Sequence, residues 1–189
     1  MTNRLFVILS LALPALPLAA QTDAAANPLS AWLRGAYMGN LNNVLRSAEK
    51  MPEEFYDLRP GPQQEVRTFG QQVGHLANYN YLWCSQAKVE KNPNAGTNLE
   101  KLTTKAEFIK ALSDARAYCE NVYNSLTDAS GAETIEITTE GGQTRKNLRM
   151  GLLILNYAHN NEIYGSIVSY MRMKSIVPPA SEPRPQQKK

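Results

Sequence analysis

The sequence has few of the residues from which metal sites and disulfide frameworks are built: two histidines and two cysteines among 189 residues. It contains no Gly-x-Ser-x-Gly elbow, P-loop, Gly-x-Gly-x-x-Gly turn or Cys-x-x-Cys pair, so the common hydrolase, nucleotide-binding and thiol-redox motifs have no support. Twenty basic and 17 acidic residues give a net charge of +3. Such a small excess predicts neither nucleic acid nor a membrane surface as a partner.

The one long apolar run lies at the N-terminus. Arg4 precedes the run Leu5–Leu13, and the segment ends in Pro17-Leu18-Ala19-Ala20. A cationic start, an apolar run and a small-residue end predict a secretory signal peptide over residues 1–20, cleaved after Ala20. A retained membrane anchor is the alternative, but the run is too short to cross a bilayer. We therefore expect an exported protein, periplasmic or extracellular, with no membrane span after cleavage.

The rest of the chain predicts a flexible N-terminus over 21–28, one domain over 29–180 and a disordered tail over 181–189. Apolar residues recur at three- and four-residue steps, the spacing of one helical face. This pattern predicts helices at about 29–50, 65–89, 104–126 and 145–175. The third is the clearest, because Thr104 and Glu107 form a capping box ahead of its stripe.

A short β element is predicted between the third and fourth helices. β-branched residues alternate from Thr134 to Thr138, and Gly141–Gly142 follows as a turn. The segment is too short for a sheet domain. The predicted fold class is therefore all-α, a four-helix bundle with a small β element near residues 135–138, and with Leu112 and Leu155 in the core.

The two histidines lie on different helices. His159 lies in the middle of an apolar stripe of the fourth helix that includes Leu148 and Leu155, whereas His75 lies at the edge of the stripe of the second. A buried imidazole needs a partner, because an unpaired polar group in a core is costly. As core residues, the histidines would hydrogen-bond to each other or to Tyr79, Asn78 or Asn156.

The segments around the histidines carry a family resemblance. His75 lies in TFGQQVGHLAN, residues 68–78, and His159 lies in residues 156–179, which end in Lys-Ser-Ile-Val-Pro-Pro. Over about residues 29–180 the chain resembles the DinB/YfiT-like family. The resemblance implies an up-down-down-up bundle in which one histidine of the second helix and a His-x-x-x-His pair of the fourth hold a divalent metal. Some members are thiol-dependent transferases or hydrolases.

This sequence departs from that pattern at Ile163, which stands at the second position of the His-x-x-x-His pair and cannot ligate a metal. The resemblance therefore carries over only His75 and His159 as candidate ligands of zinc or nickel. Glu162 is a weaker third candidate, since histidine and carboxylate at i and i+3 occur in bundle sites. Two histidines bind zinc weakly compared with three ligands, so we expect no stoichiometric metal and no other cofactor.

Three functions stay open from the sequence, and neither an enzymatic activity nor a substrate or small-molecule ligand can be assigned. Ile163 favours a degenerate bundle that binds or scaffolds without catalysis. The retained His75 and His159 favour a metal-dependent hydrolase or thiol transferase. Export, together with the tendency of bundles to pair, favours a structural homodimer of the cell envelope.

Cys84 and Cys119 can form one disulfide in an exported protein, or can be two buried thiols. Both lie on or near core-facing stripes, of the second and third helices. If these helices run parallel, the cysteines differ in height by about 5 Å, whereas antiparallel helices separate them by about 15 Å, beyond the Cα limit of about 7 Å. The resemblance implies the parallel arrangement, so we predict a Cys84–Cys119 disulfide.

Overall fold

The computed structural model describes residues 26–139 and 141–183. The predicted signal peptide and the end of the predicted tail lie outside these residues. Four long helices and a small hairpin form the fold, which confirms the predicted four-helix bundle with a short β element. The helices are α1 (Pro28–Lys50), α2 (Phe69–Lys88), α3 (Lys105–Ser125), the single turn α4 (Asp128–Gly131) and α5 (Arg149–Met173); the strands are β1 (Thr134–Thr138) and β2 (Thr144–Leu148).

Contacts between helices define an up-down-down-up bundle. The Phe108 ring lies against Gly70 near the starts of α3 and α2, and Cys119 meets Cys84 towards their ends, so α2 and α3 run parallel. In contrast, α5 runs antiparallel to α2, because Asn160 meets Asn80 while the later Tyr170 reaches the carbonyl of Arg67. None of the helices in the described ranges is long and apolar enough to span a membrane.

Local capping signals fix the starts of α2 and α3. Thr104 and Glu107 form the predicted capping box of α3. A second box, formed by Thr68 and Gln71, begins α2 at Phe69 rather than at the predicted residue 65. Each box satisfies backbone N–H groups that a first helical turn leaves without partners.

The start predicted for the fourth helix was wrong. Residues 144–148 form β2, which pairs antiparallel with β1 and matches Thr134 with Leu148. The helix α5 begins only at Arg149. Of the predicted tail over 181–189, residues 181–183 are described: Pro179–Ser181 forms a 3-10 turn, and Glu182 pairs with Arg46 and Lys50 of α1.

The buried face of α5 differs from the predicted stripe. Leu148, just before the helix, and Leu155 are 55% and 53% exposed. Apolar residues are spread around α5, so its sequence does not indicate one inner face. The buried residues of the helix are Leu152, Leu153, Asn156, Asn160, Ile163, Ile167, Tyr170 and Met171.

We expect Leu112→Ala to lower the free energy of unfolding by about 2–5 kcal/mol, because the fully buried side chain would leave a cavity. Leu155→Ala removes the same atoms from an exposed side chain and should change the free energy of unfolding by less than about 0.5 kcal/mol. Urea unfolding of both variants measures the difference. Equal losses would contradict the buried face assigned to α5.

Candidate functional site

The two histidines meet between α2 and α5. Nε2 of His159 lies 3.1 Å from Nε2 of His75, and their ring centroids are 5.0 Å apart. His75 is buried and His159 is half-buried. The Tyr79 ring packs against both imidazoles at 4.5 and 4.9 Å, and the Trp83 ring lies 5.1 Å from His159. The pair therefore lies in an aromatic pocket at the edge of the core.

A carboxylate from the loop between α2 and α3 holds His75. Oε1 of Glu100 is 2.7 Å from Nδ1 of His75, and its Oε2 accepts a hydrogen bond of 2.8 Å from Nε of Arg67. Glu100 lies in the 3-10 turn Leu99–Lys101, which packs closely on α2. Gly74 makes this approach possible, since a Cβ there would lie 2.3 Å from the Leu99 carbonyl oxygen.

The hydrogen-bond partners of His75 and His159 assign the tautomer of each imidazole. His75 donates its Nδ1–H to Glu100, so its Nε2 is an acceptor. His159 then donates its Nε2–H to His75. Nδ1 of His159 lies 3.4 Å from Glu162, whose side chain is 76% exposed. Both rings are thus hydrogen-bonded while neutral.

Burial controls the charge of the pair. It lowers the pKa of His75; the hydrogen bond to Glu100 opposes this effect, and the charge of Arg67 reinforces it. Burial also lowers the pKa of His159, against the opposing effect of Glu162. Burial acts to raise the pKa of Glu100, but hydrogen bonds from Arg67 and His75 outweigh it and lower that pKa. At neutral pH the site therefore holds two neutral imidazoles beside an ionised Glu100–Arg67 pair.

We expect acid to destabilise the fold through the histidines. Their folded pKa lies below the ordinary 6.5, so the unfolded chain binds protons first and the free energy of unfolding falls as the pH drops below 6.5. Carboxylates with a lowered pKa, such as Glu100, lose their contribution to stability only when the pH falls below their ordinary pKa of 4.5. Urea unfolding between about pH 7.5 and 5.5 measures the slope. The double variant His75→Gln/His159→Gln should flatten it, and an unchanged slope would contradict this assignment.

The position at which the family resemblance implies a third ligand is occupied by Ile163. Ile163 lies one turn after His159 on α5 and is only 7% exposed. Glu162 approaches Nδ1 of His159, not the Nε2 atoms that face each other. Nowhere in residues 26–139 and 141–183 do three His, Cys, Asp or Glu side chains group so as to hold a metal. The described residues thus bring two histidine nitrogens together without a third His, Cys, Asp or Glu grouped with them.

A polar cluster lies in the core beside the histidines. Oδ1 of Asn80 accepts hydrogen bonds from Tyr37 (2.9 Å), Asn156 (3.2 Å) and Asn160 (3.3 Å), so one buried amide joins α1, α2 and α5. The Asn156 amide also lies 3.5 Å from Sγ of Cys84. Cys84 and Cys119 form a disulfide with Cα atoms 5.5 Å apart. These hydrogen bonds tie the helices of the bundle together below the histidines, while the buried Oδ1 of Asn156 has no hydrogen-bond partner among the described residues.

Sequence reasoning missed Glu100, Arg67, Asn80 and Asn160, and it named Asn156 only as a partner of the histidines, whereas Asn156 bonds to Asn80. Glu100 lies 25 residues after His75, and Arg67 lies before the first residue of α2, so neither shares a helical face with His75. A weak signal existed for Glu100, because Asn98 before it is a good cap and accepts a hydrogen bond from the Glu100 N–H. The core asparagines gave no such signal in the sequence, because asparagine is mostly exposed in proteins.

Comparison with known proteins agrees with this architecture. The sequence profile of the DinB superfamily matches residues 38–160. A crystal structure of a DinB-like protein from Bacillus subtilis has a TM-score of 0.62 and 16% identity, and the match covers 84% of this chain and 99% of that one. A DinB-like protein from Bacillus cereus has a TM-score of 0.61 and 11% identity, with 78% and 93% covered. These identities show the fold alone, and no curated protein matches significantly.

Proposed function

The chain belongs to the DinB superfamily, and on that premise we propose that it is an exported member with a degenerate metal site, which binds or scaffolds rather than catalyses. One observation carries the proposal. The histidines complete each other's hydrogen bonding through their Nε2 atoms at 3.1 Å, and the neighbouring position on α5 is an isoleucine.

The charges around the pair support this proposal. Metal-binding histidines commonly donate their second N–H to a carboxylate, as His75 does to Glu100. Here, however, Arg67 neutralises that carboxylate through its own ion pair. A divalent ion would meet two neutral nitrogens in a partly buried place, and the one carboxylate beside them that Arg67 does not pair with, Glu162, is 76% exposed and faces Nδ1 of His159. Such a place holds a cation poorly.

Metal analysis of the purified mature protein tests the proposal. We expect zinc and nickel well below one per chain after purification without chelator. Stoichiometric metal in the parent, lost in His75→Ala, would overturn the degenerate site. The control variant Leu155→Ala changes an exposed residue of α5 and should leave the metal content unchanged.

Export is the second part of the proposal. The pattern of residues 1–20 supports it, as does the disulfide between Cys84 and Cys119, because disulfides persist in oxidising compartments. Protein purified from its native host should begin near Gln21. An intact Met1 on that protein would refute export by cleavage.

The alternative is a divalent-metal-dependent hydrolase or thiol transferase that uses His75 and His159. One observation favours it: Gln72, one turn before His75 on the same face of α2, has a buried amide oxygen without a hydrogen-bond partner among the described residues. This oxygen is a further donor for a cation. Zinc binding by the parent that Gln72→Leu abolishes would support the alternative.

The homodimer predicted from the sequence also stays a proposal. Trp32 on α1 contacts Tyr157 on α5, and Ile154 and Leu155 lie exposed nearby, with no charged residue on α5 between Arg149 and Glu162. A second copy could approach this face without charge repulsion. Sedimentation of the parent and Leu155→Glu distinguishes a dimer through this face from a monomer.

A further inference from the structure

A neutral cleft is lined by Tyr79, whose ring also packs against both histidines. Its volume is about 260 Å³, and it lies between the second half of α2 and the loop that follows. The lining has no charged side chain and is formed mainly by Tyr79, Leu82 and four asparagines: Asn78, Asn92, Asn94 and Asn98. A charged ligand would lose hydration there with no opposite charge to replace it, so the cleft favours an uncharged ligand.

The asparagines are held in place before any ligand arrives. Oδ1 of Asn78 accepts hydrogen bonds of 3.1 Å from the Leu99 N–H and from Nδ2 of Asn94. Nδ2 of Asn78 donates to Oδ1 of Asn98 at 3.2 Å. Oδ1 of Asn92 accepts from the Asn94 N–H at 2.9 Å. Side chains fixed in this way lose little conformational entropy on binding.

Other polar groups of the same asparagine side chains are available to bind a ligand. Within the described residues, Nδ2 of Asn92, Nδ2 of Asn98 and Oδ1 of Asn94 have no protein partner. The two Nδ2 groups offer N–H donors and the Oδ1 offers lone pairs, which together match hydroxyl groups that donate and accept at once. The half-exposed Tyr79 adds an aromatic surface against which apolar C–H groups can pack.

We propose that this cleft binds a neutral saccharide of one or two rings. The volume lies below the roughly 300–1,000 Å³ of pockets for drug-sized ligands, which suits a small ligand. The inference deepens the proposed binding role and rests on it, but it does not depend on the metal content of the histidine pair. Tyr79 forms a wall of both places, so a bound ring would lie beside the pair.

The test is a titration of the ¹⁵N-labelled mature protein with the neutral sugars N-acetylglucosamine, maltose and cellobiose, each alone, and with glucuronic acid as the charged comparison. We expect at least one sugar to shift the side-chain amide signals of Asn92 and Asn98 and the backbone signal of Gly96 saturably, with millimolar affinity or better. Each of Asn92→Asp and Asn98→Asp keeps the oxygen acceptor and removes the N–H donors. The double variant should bind at least about tenfold more weakly, or about 1.4 kcal/mol.

Asn124→Asp is the matched control, because Asn124 is an exposed asparagine in a different cleft. It should bind like the parent. If the spectrum of the double variant shows misfolding, the two single variants are titrated in its place. No saturable shift with any sugar, shifts confined to other surfaces, unchanged affinity in the variants, or a preference for glucuronic acid over the neutral sugars overturns the proposal. Metal analysis is scored separately: stoichiometric zinc with intact sugar binding overturns only the degenerate site, and absent sugar binding without zinc overturns only the saccharide site.

Discussion

Ile163→His should convert a protein that does not retain zinc into one that binds it tightly. Residue 163 is one helical turn after His159, so an imidazole there shares its face. Together with His75 it would complete three nitrogen donors, the protein ligand set of many catalytic zinc sites. We expect the affinity for zinc to rise by at least about 3 kcal/mol, or about 100-fold.

Stability supplies a second measure of the same change. A third imidazole in this buried position costs stability while no metal is present, because its polar atoms lose water. Zinc binds the folded state and restores stability by mass action. The melting temperature of Ile163→His should therefore fall on addition of a chelator, whereas that of the parent should not change.

The control is Ile154→His, which places an imidazole at an exposed position five residues before His159, off the helical face of that histidine. It should bind zinc little better than the parent. Equal gains in both variants would mean that any added histidine on α5 binds the ion, and the inference about residue 163 would fail.

Removing the disulfide should have the next largest effect. Cys84 and Cys119 are 35 residues apart in sequence, and closing a loop of this size stabilises the fold by about 3–4 kcal/mol in the chain-entropy account. The variant Cys84→Ala/Cys119→Ala should lose about that much in urea unfolding. Both side chains are fully buried, so lost packing adds to the loss.

Reducing the disulfide separates the stability that comes from the closed loop from the stability that comes from the packing of the two side chains. A reductant in the unfolding experiment should destabilise the parent and leave the double variant unchanged. Thiol titration of the denatured, unreduced parent should find no free thiol. Two free thiols per chain would remove the disulfide, together with this support for the oxidising compartment.

The sequence alone determined the number of long helices and the start of α3. These features depend on local physics: apolar spacing marks a helical face, and Thr104 with Glu107 satisfies the first backbone N–H groups of the helix whatever packs against it. The start of α2 at Phe69 was available from the same kind of signal, the box of Thr68 and Gln71, and was missed.

Tertiary structure decided the elements whose local signal is weak or divided. Residues 144–148 carry little strand preference of their own and become β2 because β1 supplies hydrogen-bond partners. Apolar residues lie all around α5, so the packing of α1 and α2 decides that Ile163 is buried and Leu155 is not.

The candidate site likewise has features that are visible in the sequence and contacts that only the packing of the helices decides. His75 and His159 are read directly from the sequence, and the resemblance to the DinB/YfiT-like family marked the departure at Ile163. The sequence could not identify the Glu100 carboxylate on His75 or the asparagine cluster below, because these contacts join elements whose relative positions follow from packing alone. Asp128 is a clear case: it accepts hydrogen bonds from the first N–H groups of α1, about 100 residues earlier in the chain, a partner that only the folded bundle brings into reach.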